Sequence, residues 1–155
     1  MRAGFAAVTS PGRCEVVHRD PTIILDAAHN PHGAKALADT LENEFNFDEI
    51  IAVVGVFADK DAVGILQELE PVVDHVIVTQ SSSDRAMSSG ELEKIASKIF
   101  GVDRVFEVSN LETALDRAVT DATRPLSEDT IGIIVTGSVV TVGEARSYLR
   151  KKFAK

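Results

Sequence analysis

Eight consecutive residues, Asp26-Ala27-Ala28-His29-Asn30-Pro31-His32-Gly33, bring together a carboxylate, two imidazoles and an Asn-Pro pair. Asn30 suits a helix N-cap, and Pro31 suits the first helical position, where its missing N–H costs nothing. A helix starting there turns free N–H groups and the positive end of its dipole toward whatever precedes it, a setting that favours an anion such as phosphate. His29 and His32 add donors, and Asp26 is an acceptor that could hold a ribose hydroxyl. A plainer account stands beside this one: Asn30-Pro31 starts a helix and Asp26 satisfies a local turn. Asp26, His29 and His32 make a poor metal site, because no fourth ligand is evident and the spacing departs from zinc patterns.

Other polar clusters share one property: each directly follows an apolar, β-branched run. They are Phe57 to Asp61, Gln80 to Ser89 and Thr136 to Thr141. Gly137 permits close backbone approach and Ser138 can donate or accept, although a simple strand-to-helix turn needs the same residues. Asp59-Lys60-Asp61 reads equally as a helix cap with solvated charges. Arg85 reads as a solvated surface residue or as a carboxylate clamp.

The elements that must position these clusters follow from periodicity. Thr22–Ala28, Ile50–Val56, His75–Thr79, Arg104–Val108 and Thr130–Thr136 read as buried strands, and Cys14–His18 adds one more, antiparallel to the first. Between them, apolar residues recur at helical spacing: Ala34, Leu37, Ala38, Leu41 and Phe45; Ala62, Ile65, Leu66 and Leu69; Leu92, Ile95, Ala96 and Ile99; Leu111, Leu115, Ala118 and Ala122; Val142, Ala145 and Leu149. Ser88 with Glu91 forms a capping box, and Asn110 caps the next helix. Strands alternating with helices imply βαβ units. The expected fold is α/β: a Rossmann-like three-layer sandwich of about six strands, five parallel and one antiparallel, with helices on both faces. Ligands of such sheets bind outside the carboxyl ends of the strands, so all the polar clusters are expected along one edge.

Composition narrows the partners. The chain has 155 residues, 45% hydrophobic and 26% charged, which suits one domain able to bury a core. A formal net charge of −8 argues against nucleic acid and anionic membrane as partners. The single cysteine, Cys14, allows no internal disulfide, and no apolar run approaches the roughly 20 residues of a membrane span, so a cytoplasmic setting is expected. No Gly-x-x-x-x-Gly-Lys-Ser/Thr phosphate loop, dinucleotide fingerprint or nucleophile elbow is present in the chain.

Taken in order, Pro11-Gly12-Arg13, Leu25 to Gly33, Asp59-Lys60-Asp61, Asp84-Arg85-Ala86 and Thr136-Gly137-Ser138 resemble the C-terminal domain of folylpolyglutamate synthases, including the bifunctional dihydrofolate synthase form, a branch of the Mur ligase superfamily. The resemblance runs from about Pro11 onward. It departs at Ala27, where the family often has Gly, and at Ser10, where many members carry Trp.

It implies an ATP-dependent ligase that phosphorylates the carboxylate of a folate or dihydropteroate and joins L-glutamate to it. By position, Arg13, Asp26, His29 and Asn30 would contact ATP, with His29 approaching the reacting centre. Ser138 and Arg85 would serve the glutamate, and Lys60 and His32 are further candidates. The phosphate loop and the magnesium ligands are expected on a preceding N-terminal domain, with residues 1–12 as interdomain linker and 13–155 as the C-terminal domain. Two alternatives are a free-standing nucleotide- or anion-binding regulatory module, and a domain of another Mur-type amino-acid ligase.

Overall fold

The computed structural model describes residues 13–123 and 130–154. The expected linker over residues 1–12 lies outside them, as does the loop at 126–129. The strands are β1 (Glu15–His18), β2 (Thr22–Asp26), β3 (Glu49–Val54), β4 (His75–Gln80), β5 (Val105–Asn110) and β6 (Ile131–Thr136). The helices are α1 (Pro31–Glu44), α2 (Ala62–Leu69), α3 (Ser89–Phe100), α4 (Leu111–Ala122) and α5 (Val139–Lys152). They build one six-stranded sheet in the order β1-β2-β6-β3-β4-β5. Only β1 runs antiparallel to its neighbour; β2, β6, β3, β4 and β5 are mutually parallel. The expected α/β sandwich with helices on both faces is the fold observed.

Alternation along the strands divides the core in two. Ile24, Ala52, Val54, Val76, Val78 and Ile134 face α1, α2 and α3. Ile23, Leu25, Ile51, Val53, Ile77, Ile133 and Val135 face α4 and α5. A strand covered on both sides reads as a continuous apolar run, and β6, with every residue buried, lies in the interior of the sheet. Each fully buried Ile or Leu here contributes about 2 kcal/mol relative to an exposed one. The helix caps are those the residue types dictate: Asn30, Asp61, Ser88, Asn110 and Ser138 each accept from a backbone N–H three residues on.

Element ends differ from expectation where side chains intervene. Cys14 is not a strand residue: it holds φ 47° in the turn before β1. Strand β2 stops at Asp26, short of Ala28, because the Asp26 carboxylate takes the Ala28 N–H out of the ladder. Arg104 belongs to a 3-10 turn, Val102–Arg104, rather than to β5. Its guanidinium donates to the carbonyls of Glu70, Val73 and Asp74, closing the end of α2 onto the turn before β5.

Helices α4 and α5 are braced by the chain's one tyrosine. Tyr148 Oη donates to Asp116 Oδ1 at 2.7 Å, and Lys152 Nζ approaches the same oxygen at 3.0 Å. Donation to Asp116 is the main reason the phenol is pushed up to about 12, and the same bond is the main reason the Asp116 carboxyl is held below its ordinary value. The phenol's contribution to stability is therefore complete below its unfolded value of 10 and lost as pH rises through about 12. The carboxylate's is present above 3.8 and lost on acidification. Phenolate absorbance of the folded 155-residue chain should titrate well above 10, toward 12, and Asp116→Asn should return it toward 10. A native midpoint near 10 would show that the brace does not form.

Candidate functional site

The parallel strands bring the polar clusters to one edge. Asp26, Thr136 and Val54 are in register at the carboxyl ends of β2, β6 and β3, with Gln80 at the end of β4 beyond them. The chain leaves β2 and β3 for one face of the sheet and β6 for the other. The carboxyl end of β6 is thus a topological switch point, where a crevice opens in doubly wound sheets.

Asp26 ties two segments together at that crevice. Its Oδ2 accepts the Cys14 N–H at 3.0 Å and the Cys14 S–H at 3.3 Å; its Oδ1 accepts the Ala28 N–H at 2.9 Å. Arg13 adjoins Cys14 and His29 adjoins Ala28, and both are exposed. Burial, with the nearby Asp26 charge adding to it, pushes the Cys14 thiol up to about 12, so it remains a donor at any ordinary pH.

His29 Nδ1 lies 3.1 Å from the Ala27 carbonyl. A carbonyl only accepts, so Nδ1 carries the proton, and the neutral ring presents Nε2 as an acceptor.

The start of α1 has fewer donors to spare than the sequence suggests. Pro31 has no N–H, and the Gly33 N–H is taken by Asn30 Oδ1 at 2.7 Å. Within the first turn this leaves the amide of His32, whose side chain is exposed. The start of α2 packs against the start of α1: a Cβ on Gly64 would sit 2.5 Å from Pro31 Cγ and 2.5 Å from the capping carboxylate of Asp61. A side chain there would push apart two helix ends that border the crevice.

The loops after β3 and β4 are zipped together. Ala58 N–H donates to the Arg85 carbonyl at 2.8 Å, and Met87 N–H to the Val56 carbonyl at 2.9 Å. Arg85 stacks over the Phe57 ring, 4.3 Å from its centroid, and its Nη2 lies 3.4 Å from Asp59 Oδ2. This pair is about 60% exposed, so it orients the guanidinium more than it stabilises the fold. Lys60 sits in the turn of the same loop, its N–H donating to the Phe57 carbonyl.

Ser138 reaches the same edge but is buried. Its Oγ accepts the Thr141 N–H at 3.0 Å and donates to Thr141 Oγ1, which donates in turn to the Gly55 carbonyl. Its hydroxyl is committed to a cap. Asn30 is likewise committed at Oδ1, whereas Arg13, His29, His32 and Arg85 are exposed. Cys14, Phe57, Gly55 and Thr141 hold this site together and were not singled out for it by residue type. Phe57 and Thr141 lay inside the polar clusters that follow strands, whereas Gly55 fell within the expected strand Ile50–Val56 and Cys14 within the expected strand Cys14–His18, so neither carried a signal short of tertiary structure. A groove of about 1080 Å³ opens farther along the edge, between α4 and α5, but none of the candidate residues lines it.

Residues 12–139 match the Mur ligase, glutamate ligase domain family. The chain belongs to that family. It is 47% identical to the dihydrofolate synthase/folylpolyglutamate synthase of Mycobacterium tuberculosis, over 95% of this chain and 32% of that protein. It also superimposes on solved structures of the group. One is the M. tuberculosis folylpolyglutamate synthase complexed with ADP and AMPPCP: TM-score 0.84, 48% identity, 98% of this chain and 34% of that one. Another is a bifunctional folylpolyglutamate synthase/dihydrofolate synthase with Mn, AMPPNP and L-glutamate bound: TM-score 0.78, 33% identity, 93% of this chain and 32% of that one. The chain thus spans about a third of the length of these relatives. No helix among the described residues is long and apolar enough to cross a membrane.

Proposed function

We propose that this glutamate ligase domain forms one half of the active site of an ATP-dependent amide ligase of the folylpolyglutamate/dihydrofolate synthase type, a cytoplasmic enzyme. The other half belongs to a preceding ATP-binding domain. The observation that carries the proposal is the Asp26 junction, which holds the Arg13 turn and the His29 loop side by side at the switch point of a sheet of this family. ATP activates the carboxylate of a folate or dihydropteroate as an acyl phosphate, and the amine of L-glutamate displaces the phosphate.

This chain's residues act on charge and position. Arg13, His29 and the His32 amide meet the phosphates, with Asn30 fixing the helix start beneath them. Arg85, oriented by Phe57 and Asp59, meets a carboxylate of the incoming glutamate, with Lys60 on the same loop. Ser138 contributes by holding the last strand-to-helix turn. The magnesium that accompanies ATP would be held mainly by the preceding domain. Covering this edge with the preceding domain would keep water from the acyl phosphate.

The isolated 155-residue chain should bind ATP weakly and ligate no glutamate, whereas the complete ligase should do so with glutamate preferred in amino-acid competition. Turnover by the isolated chain would overturn the half-site reading. Tight ATP binding without turnover would point to a regulatory binding module, and preference for another amino acid to a different Mur-type ligase.

A further inference from the structure

We infer that Glu144, on α5, is a positioning residue for the glutamate step: it anchors the loop that carries Arg85 and so sets the affinity for the incoming amino acid. This rests on the ATP-ligase reading above, with Arg85 as the group that meets a glutamate carboxylate. The loop is residues 81–88, between β4 and α3. Only Ser81 and Met87 of it are buried, so its place is set by what its backbone bonds to. The zip to the loop after β3 holds residues 85–87 alone, through Ala58 to Arg85, Met87 to Val56 and the bridge between Phe57 and Ala86. The first half is turned by its own serines. The Ser83 N–H reaches Ser81 Oγ at 3.4 Å, and the Arg85 N–H donates to Ser83 Oγ at 3.1 Å. Bonds within a turn fix its shape and leave its direction open.

The direction is set from the other face of the sheet. Glu144 Oε1 accepts the Ser82 N–H at 3.1 Å, and Oε2 accepts the Ser82 hydroxyl. The two residues are 62 apart in the chain. Charge-assisted bonds of this kind are the stronger class, and a carboxylate, being acceptor-only, can take both donors at once. Ser82 adjoins Ser83, whose hydroxyl holds the Arg85 amide, so the anchor lies one residue from the turn that aims the guanidinium. Helix α5 is itself fixed at the phosphate end of the crevice: it starts at the Ser138 cap, and the preceding Gly137 N–H donates to the Ala28 carbonyl. Glu144 therefore hangs the glutamate loop on the helix that is already registered against the His29 loop. The helix gains little from Glu144 in return, since its side chain lies outside both cores and alanine is the better helix former.

The consequence is a split in the kinetics. A contact to a carboxylate that does not react is equally strong before and during the chemical step, so its loss raises KM and spares kcat. In the complete ligase, Glu144→Ala should raise the KM for glutamate on the order of tenfold, with kcat, the KM for ATP and the melting midpoint close to wild type. Glu144→Gln should stay near wild type, because its carbonyl still accepts the Ser82 N–H and the Ser82 hydroxyl can accept from its NH₂. Ser82→Ala keeps the N–H and should raise the KM for glutamate less; combined with Glu144→Ala it should add nothing.

Arg85→Ala separates the two levels of the reading. If it raises the KM for glutamate and Glu144→Ala does not, the positioning role is overturned while Arg85 keeps its assignment. An equal rise in the KM for ATP in Glu144→Ala, or a Glu144→Gln enzyme as impaired as Glu144→Ala, would also overturn it. If Arg85→Ala left the KM for glutamate unchanged, the assignment of Arg85 would fail, and the role of Glu144 with it.

Discussion

Gly137→Ala is expected to cost the fold about 4 kcal/mol, from left-handed backbone strain and overpacking together. Gly137 has φ 120°, and a Cβ there would sit 2.2 Å from the Gly55 oxygen, 2.8 Å from its carbonyl carbon and 3.1 Å from its nitrogen. Every one of those atoms is backbone, in the segment that ends the central strand β3, so no rotamer change relieves the clash. The same contact zone holds the Gly55 N–H to the Thr136 carbonyl, and Thr141 Oγ1 to the Gly55 carbonyl. Pushing the two segments apart would therefore break the bonds that fix the start of α5 as well.

Gly143 supplies the control. A Cβ there meets nothing within 4 Å, and the residue lies inside α5, so alanine should be neutral or stabilising by up to about 1 kcal/mol. Urea unfolding of the two variants distinguishes them. A Gly137→Ala loss below about 1 kcal/mol would mean that the two segments are not packed as described.

How far the residues themselves foretold this site depends on the range of the interaction. The strands were legible because two-sided burial requires apolar runs, as in Ile131–Thr136. The caps were legible because Asn30, Asp61, Ser88 and Asn110 each act on an amide only three residues away. The shared edge followed from a topological rule, with no contact known.

What could not be read was set by partners distant in the chain. Asp26 and Cys14 lie twelve residues apart. The stacking of Arg85 on Phe57 depends on two loops meeting across neighbouring strands. Ser138 carries the same hydroxyl whether it faces a ligand or caps a helix, and only its burial decides. The insertion of β6 between β2 and β3, which creates the switch point, leaves no local trace at all.

The second large effect concerns chemistry rather than stability. Arg13 and His29 are exposed and their side chains bury little, so replacing either by alanine should leave the melting midpoint of the complete ligase essentially unchanged. On the proposed reading each supplies positive charge or a donor where phosphate charge develops, and removing one such preorganised group costs roughly a hundredfold or more in rate.

The most direct test of the central claim, that this sheet edge is half of a ligase active site, is ATP-dependent glutamate ligation by the complete enzyme carrying Arg13→Ala or His29→Ala. Rates about a hundredfold down at an unchanged melting midpoint are the predicted result. Near-normal rates from both variants would contradict it.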